Sequence, residues 1–188
     1  MRCWLAALCF AMPLAVCAAD ETVAICYGYG CLAHDDVQYS QARLDEISRL
    51  MNAAVDAEEE RKTLAVVIGQ LYAWAGEQSV IKNDRGGNYA DDGPGKMDCI
   101  DHSTSTTRLL KMLEARGNLR WHRVREANVR HWGFVFATHY SAVIEEIGEG
   151  EGADGRGRFA VDSWFVDNGQ AAVVLPLAEW KKGAGPDV

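Results

Sequence analysis

The chain has 188 residues, with 19 Lys or Arg against 27 Asp or Glu, so its formal net charge at pH 7 is −8. An acidic chain repels the phosphate backbone, which argues against nucleic acid as a partner. The length suits one domain with a sizeable core.

The first 19 residues are typical of a secretory signal peptide. Arg2 precedes an apolar run that ends in small residues at 17–19. This run is shorter than the roughly 20 apolar residues that span a bilayer, so we expect cleavage and export to the periplasm or the medium, with no transmembrane anchor. Lipid attachment at Cys17 is an alternative, although Val16 is bulkier than the residue expected before a lipidated cysteine. Residues 20–188 would then form a single domain.

Cysteine usage agrees with export. Three of the six cysteines fall within the predicted signal. Cys26 and Cys31 enclose two glycines, so they are able to close a small loop in an oxidising compartment. We therefore predict a Cys26–Cys31 disulfide, which leaves Cys99 as the free thiol.

Two amphipathic helices are predicted next. Apolar residues recur at three- and four-residue intervals over residues 36–54, which indicates a first helix. A second helix is predicted to begin after Asp56, which would form a capping box with Glu59, and to extend to Gly76.

A loop and a third helix follow. Residues 83–96 hold four glycines and a proline without periodicity, which indicates a loop, and a loop of this length is often functional. The next helix is predicted to have Asp98 as its N-cap, Asp101 in its acidic first turn and its end at Gly117. Its inward positions are predicted to be Ile100, Leu109, Leu110 and Leu113.

Beyond Gly117 the chain has the composition and alternation of strands. These are predicted over residues 119–125, 133–147, 158–166 and 171–175, with a glycine-rich reversal over 148–157. Helices followed by antiparallel strands indicate an α+β fold, with the N-terminal helices packed on the sheet.

Three side chains could form a nucleophilic site. Cys99 lies at a predicted helix start, where the helix dipole favours a thiolate. His139 and Asp162 lie on successive predicted strands. A reversal centred between Gly150 and Glu151 would place these two side chains directly opposite each other and on the same face. A thiol, an imidazole base and an orienting carboxylate are the groups that acyl transfer uses.

The surroundings of the thiol offer other interpretations. The charges of Asp98 and Asp101 would raise the pKa of Cys99. These two carboxylates could instead cap the helix, bind a cation or hold a positive group of a substrate. Residues 98–102 do not match the ligand spacing of a zinc site, so no metal is predicted. His139 taken alone could equally be a structural histidine.

The motifs resemble those of a known family, the exported transglutaminase-like cysteine proteinases of bacteria. That family carries Asp-Cys-Glu-Asp, then a strand histidine, then Leu-Asp-Asn. The corresponding residues here are Asp98-Cys99-Ile100-Asp101, His139 and Val161-Asp162-Ser163, and the resemblance covers roughly residues 96–166.

The resemblance implies a papain-like core. Cys99 would be the thiolate nucleophile, His139 the base and Asp162 the residue that orients it. Some members bind calcium beside the cysteine. Ile100 stands where their glutamate would be, which makes calcium doubtful, and no cofactor is expected.

We therefore expect an exported cysteine hydrolase or acyltransferase that acts on a peptide or amide bond of a protein or peptide substrate through a thioester. The backbone N–H of Cys99 would supply half of an oxyanion hole. Asn88 or Tyr89 would supply the other half, and Trp164 would line the cleft.

Two alternatives stay open. A cell-wall peptide amidase of the NlpC/P60 type has the same order of cysteine and histidine, but Asp-Cys-Ser-Gly would be expected in place of the motif at 98–101. A non-catalytic exported binding module would keep the fold and use the cleft for recognition.

Overall fold

The computed structural model describes residues 19–87, 93–132, 137–148 and 157–186. Residues 1–18, which hold most of the predicted signal, lie outside this set, as do Asn88 and Tyr89. The described residues form an α+β fold with antiparallel sheets, as predicted. In chain order the elements are β1 (Glu21–Tyr27), β2 (Ala33–Tyr39), α1 (Gln41–Ala53), α2 (Ala57–Gly76), a short 3-10 helix (Val80–Asn83), α3 (Cys99–Ala115), β3 (His122–Trp132), β4 (Ala137–Glu146), β5 (Arg158–Asp162), β6 (Val173–Pro176) and α4 (Leu177–Lys181).

The first helix is shorter than predicted, because the predicted segment 36–54 begins in a strand. Residues 33–39 form β2, which pairs with β1 in an antiparallel hairpin. Val37 and Tyr39 are buried on either side of an exposed residue, which is a period of two. The helix begins only after Ser40, whose side chain accepts a hydrogen bond from the N–H of Arg43 and caps it.

The second helix begins where the sequence predicts. Asp56 is its N-cap and accepts a hydrogen bond from the N–H of Glu59. The Glu59 carboxylate accepts from the N–H of Val55, one residue before the cap, rather than completing a strict capping box.

The third helix has the predicted ends. Asp98 caps α3, and a complete capping box joins it to Asp101. Gly117 follows the helix with φ +71°, the left-handed conformation that ends helices. The predicted inward position at Ile100 is wrong, because this side chain is 38% exposed. Asp101 and His102 are the buried residues of the first turn, whereas the predicted leucines further along are buried.

The second sheet has the strand order β3-β4-β5-β6 and is antiparallel throughout. Ala142 and Ile144 of β4 pack in the core that also contains the leucines of α3. Val143, between them, packs with Leu177 and Trp180 of α4. Since successive strand residues point to opposite faces, α3 and α4 cover opposite faces of the sheet.

The predicted register between β4 and β5 is wrong by two residues. Ala142 pairs with Val161, and the same register places Asp162 opposite Ser141 rather than opposite His139. A slip of two residues keeps every side chain on its face, whereas a slip of one would reverse it. His139 and Asp162 are therefore diagonal neighbours on one face, which is still within reach.

Several strand ends also differ from prediction. The first strand of this sheet extends over His122–Trp132 rather than 119–125, with a register shift between Arg125 and Asn128. The strand predicted over 158–166 ends at Asp162, and the chain turns after it. The short helix α4 was not predicted.

None of the helices in the described ranges combines the length and the apolar composition that a membrane crossing requires.

Candidate functional site

Cys99 is the first residue of α3 and is a free, partly exposed thiol. Its Sγ lies 3.8 Å from the carbonyl oxygen of Thr138 in β4. The backbone N–H of Tyr140 also acts on this sulfur, in the direction that lowers its pKa. Peptide groups on both sides of His139 thus face the thiol, so α3 brings Cys99 against the strand segment that carries the predicted base.

The edge of β4 is open to the sulfur at this point because the neighbouring strand stops. The pairing of β4 with β5 begins at Ala142, and β5 ends at Asp162. Thr138, His139 and Tyr140 lie beyond this ladder. The N-terminus of α3 approaches the uncovered segment, so the thiol takes the place of a strand partner.

His139 and Asp162 form a buried hydrogen-bonded pair. The distance between His139 Nε2 and Asp162 Oδ2 is 2.7 Å, and the two residues are 5% and 2% exposed. An ionised carboxylate only accepts hydrogen bonds, so Nε2 carries the ring hydrogen. Nδ1 is then the ring nitrogen that remains to take a proton from a nucleophile.

Aromatic side chains enclose the His139 ring. Its centroid lies 4.8 Å from that of Trp164, 5.5 Å from that of Phe165 and 5.7 Å from that of Trp180. Trp164, which was predicted to line the cleft, is only 1% exposed. Its observed position covers the imidazole, which limits water access to the His139–Asp162 pair.

The electrostatic environment of Cys99 opposes the thiolate. Burial is the main cause that raises the pKa of this thiol, and the negative charges of Asp98 and Asp162 raise it further. The N–H of Tyr140 acts in the opposite direction. The backbone N–H of Cys99 at the helix start also lowers the pKa, but burial outweighs it. The increase caused by Asp98 is the one that the sequence predicts. The surroundings of Cys99 therefore favour the protonated thiol over the thiolate.

The two carboxylates beside Cys99 cap the helix. Oδ1 of Asp98 accepts the N–H groups of Ile100 and Asp101 at 3.0 and 2.9 Å. Asp101 returns the bond by accepting the N–H of Asp98 at 3.0 Å. Capping is one of the roles that the sequence left open for these residues, and the structure shows it.

The same carboxylates bind the loop closed by the Cys26–Cys31 disulfide, which is present as predicted. Residues 28–31 have φ values of +85°, +67°, +64° and +58°. Consecutive left-handed residues turn their N–H groups toward one side and form an anion-binding nest. The N–H groups of residues 29 and 31 donate to Asp101 at 2.8 and 2.6 Å, and that of residue 30 donates to Asp98 at 2.9 Å.

The same loop brings three possible metal-ligating residues together. Cys26, Cys31 and Asp101 offer donor atoms within 4.8 Å of one another. The disulfide ties up both sulfurs, so neither is available as a thiolate. The oxygens of Asp98 and Asp101 already accept backbone N–H groups.

A second buried network lies beside the site, and sequence reasoning did not find it. His102 Nε2 lies 2.9 Å from Asp84 Oδ2, and its Nδ1 lies 2.9 Å from Ser163 Oγ. Asp84 also accepts the N–H of Met97 at 2.8 Å. The network joins both ends of the loop at 83–96 to α3 and to Ser163, the residue after Asp162. The position of Ser163 next to Asp162 was the one signal in the sequence for this network. No sequence feature pointed to Asp84.

A groove of about 320 Å³ lies elsewhere, between α2 and strands β5 and β6. Its lining residues are Glu58, Arg61, Lys62, Ala65, Phe159, Val174 and Pro176. None of the residues discussed above lines it, so this groove is separate from the site around Cys99.

Comparison with known proteins gave no match: no family model, no curated protein and no solved structure matches the chain. The resemblance to transglutaminase-like proteinases therefore depends on the motifs around Cys99, His139 and Asp162 alone.

Proposed function

We propose that the protein is an exported cysteine hydrolase or acyltransferase with a papain-like, transglutaminase-like core. Its substrate would be a peptide or amide bond in a protein or peptide. The observation that carries the proposal is the buried His139–Asp162 pair, at 2.7 Å, next to Thr138, whose carbonyl oxygen contacts the Cys99 sulfur. The Cys26–Cys31 disulfide supports export to an oxidising compartment, either the periplasm or the medium.

The reaction would begin with proton transfer. Asp162 holds Nε2 of His139, and Nδ1 accepts the proton from Cys99 as the sulfur bonds to the carbonyl carbon of the substrate. The carbonyl π electrons move to oxygen, and the backbone N–H of Cys99, at the start of the helix, would stabilise that oxyanion. Asn88 and Tyr89, the candidates for a second donor, lie outside the described residues.

The second half of the reaction regenerates the thiol. The tetrahedral intermediate collapses to a thioester, and the C–N bond breaks as Nδ1 of His139 returns its proton to the leaving nitrogen. Water, or an amine in a transfer reaction, then attacks the thioester while His139 removes a proton from it. Breakage of the C–S bond expels the Cys99 sulfur, which takes that proton back from His139.

The raised pKa of Cys99 makes the base essential in this scheme. A thiol that rests protonated gains nucleophilicity only when His139 removes its proton. Proton transfer and attack are thus coupled, in contrast to a preformed thiolate and imidazolium pair.

The same observation favours a second candidate, a non-catalytic binding module. A partly buried thiol whose pKa is raised is an ordinary state for a structural cysteine. In that case the His139–Asp162 pair would only stabilise the sheet.

Alkylation of Cys99 by iodoacetamide at pH 7 separates the two candidates. If His139 is the base, the rate should fall by roughly 100-fold in the His139→Ala variant, a typical contribution of general-base catalysis. His34→Ala is the matched control, since His34 is exposed on β2. Equal rates in the wild type and both variants would support the binding module.

Hydrolysis provides the direct test. The wild type should release fluorescence from a labelled general protein substrate such as casein, and the Cys99→Ala variant should not. A thioester would appear as a covalent adduct on Cys99 by mass spectrometry when an activated acyl donor is supplied.

A further inference from the structure

Trp180 contacts the same carboxylate oxygen that holds His139. Its indole Nε1–H donates to Asp162 Oδ2 at 2.8 Å, and His139 Nε2–H donates to this atom at 2.7 Å. The other oxygen, Oδ1, accepts the backbone N–H of Trp164 at 3.2 Å. Trp180 is fully buried, at 0% exposure.

Asp162 needs this support because of its position. It is the last residue of β5, where the strand ladder ends, so the backbone on its C-terminal side is not held by a neighbouring strand. A buried carboxylate is costly unless donors satisfy its oxygens. The indole is rigid and supplies one fixed donor, which restricts rotation of the carboxylate about its side-chain bonds.

Trp180 is in turn held by β3. The Arg130 Nη1 donates to the backbone carbonyls of Trp180 and Ala184 at 2.7 and 2.9 Å. The guanidinium also lies 4.8 Å from the centre of the Trp180 ring. Arg130 pairs with His139 across the β3–β4 ladder. The pairing of β3 with β4 therefore fixes both His139 and α4, whose Trp180 binds Asp162.

The fixed geometry has a chemical consequence. Asp162 can hold the imidazole through Nε2 only while its Oδ2 keeps one direction. A carboxylate that rotates would let the ring adopt its other tautomer, with hydrogen on Nδ1. Such a ring cannot take a proton from Cys99 at Nδ1.

We infer that Trp180 is a positioning residue of the Cys99 site: its indole N–H fixes Asp162 Oδ2 and thereby keeps His139 in the tautomer that leaves Nδ1 free to accept a proton. The inference rests on the proposed function, because Nδ1 matters only if His139 serves Cys99 as a base.

Two substitutions remove the donor while keeping the ring. Trp180→Phe retains an aromatic side chain, and replacement of Trp180 by benzothienylalanine retains the shape of indole with sulfur in place of N–H. Each should lower the His139-dependent alkylation rate of Cys99 by about tenfold, the scale of one lost hydrogen bond to a charged group. Each should also lower kcat by about tenfold and leave KM nearly unchanged. Trp74→Phe is the control, because Trp74 is a buried tryptophan of α2 that packs against Arg43.

A double-mutant cycle tests whether Trp180 acts through Asp162. In an Asp162→Asn background, removal of the indole N–H should have no further effect on the alkylation rate. A merely structural contribution of Trp180 would add to that of Asp162. Additive losses would overturn the inference.

Nitrogen-15 NMR of the His139 ring supplies a readout that needs no activity. The wild type and Trp74→Phe should show hydrogen on Nε2, whereas both Trp180 variants should show a mixture of tautomers. An unchanged tautomer in the Trp180 variants would overturn the inference. A wild type without hydrolysis or His139-dependent alkylation would contradict the proposed function, and the tautomer measurement would still decide whether Trp180 positions the ring.

Discussion

At the scale of single residues, burial and hydrogen bonding compete at the start of α3. Asp101 accepts three backbone N–H groups, from Tyr29, Cys31 and Asp98, and these bonds favour its ionised form. Burial opposes them and is the larger effect, raising the pKa of Asp101 to about 6. Asp101, which links the disulfide loop to α3, therefore changes its protonation in the mildly acidic range.

This raised pKa predicts how stability depends on pH. Between about pH 4 and 6 the folded state binds a proton at Asp101 that the unfolded chain releases, since the ordinary pKa is near 3.9. The contribution of Asp101 is thus complete below the unfolded pKa and is lost as the pH rises through 6. The free energy of unfolding of the wild type, measured by urea denaturation relative to Asp101→Asn, should decrease over this range.

The control for this experiment is Asp36→Asn, because Asp36 is exposed on β2. A decrease seen relative to Asp101→Asn but not relative to this variant would belong to Asp101. A wild type that gains stability relative to Asp101→Asn as the pH rises would mean that the three N–H donors outweigh burial.

At the scale of elements, the disulfide loop fastens the first sheet to the helix that carries Cys99. The loop continues from β1, and its N–H groups at 29–31 bind the two carboxylates of the α3 capping box. The N–H of Cys26 also donates to Ser105 Oγ at 2.9 Å, two turns along α3. The disulfide keeps the loop in the left-handed conformation that aims these donors.

Removal of the disulfide should therefore weaken the fold. Closure of so short a loop accounts for about 2 kcal/mol of unfolding free energy, and loss of the aimed N–H groups would add to this. Urea denaturation of a Cys26→Ala, Cys31→Ala double variant should show the loss. Reduction of the wild type by a dithiol should reproduce it.

Cys99→Ala is the matched control here, because it removes the remaining thiol outside 1–18 and leaves the disulfide in place. Its stability should respond to the dithiol as the wild type does. If the double variant unfolds at the same urea concentration as the wild type, the loop does not stabilise α3.

At the scale of the whole molecule, the site forms where segments distant in sequence converge. The loop at 83–96 contacts the turn after β5. The N–H of Gly87 donates to the Trp164 carbonyl at 2.8 Å, and the N–H of Gly86 donates to the Asp167 carboxylate at 3.0 Å. Asp84 accepts the N–H of Met97, just after the other end of this loop, and forms a hydrogen bond with His102. One polar network therefore holds the loop, α3 and the end of β5 in register.

Gly86→Ala tests this convergence. A Cβ at this position would lie 2.5 Å from the Phe165 carbonyl oxygen, so either the loop or the turn must move. We expect a loss of about 2 kcal/mol in unfolding free energy, typical of overpacking, and slower alkylation of Cys99 as the turn beside Asp162 shifts. Both are measured by urea denaturation and iodoacetamide kinetics.

Gly117→Ala is the comparison for that variant. Gly117 has a positive φ, but an added Cβ would meet nothing within 4 Å. It should lose stability through backbone conformation alone, with the alkylation rate unchanged. If Gly86→Ala alkylates like the wild type, the loop contact does not position the site.

The sequence by itself determined the features whose causes are local. Two cysteines a few residues apart, with glycines between them, defined the disulfide. Asp98, Asp101 and Gly117 defined both ends of α3, since caps act over one helical turn. The alternation of period two placed His139 and Asp162 on one face, and this survived an error of two residues in the register because each face repeats every second residue.

Only the tertiary structure decided the rest. The segment at 36–39 has apolar residues that fit a helix or a strand, and pairing with β1 selected the strand. Trp180 lies 18 residues after Asp162, and Asp84 lies 18 before His102, so no pattern within an element connects them. Such contacts depend on how helices and strands pack across the sheet, and packing is set by the whole core rather than by any local run of residues.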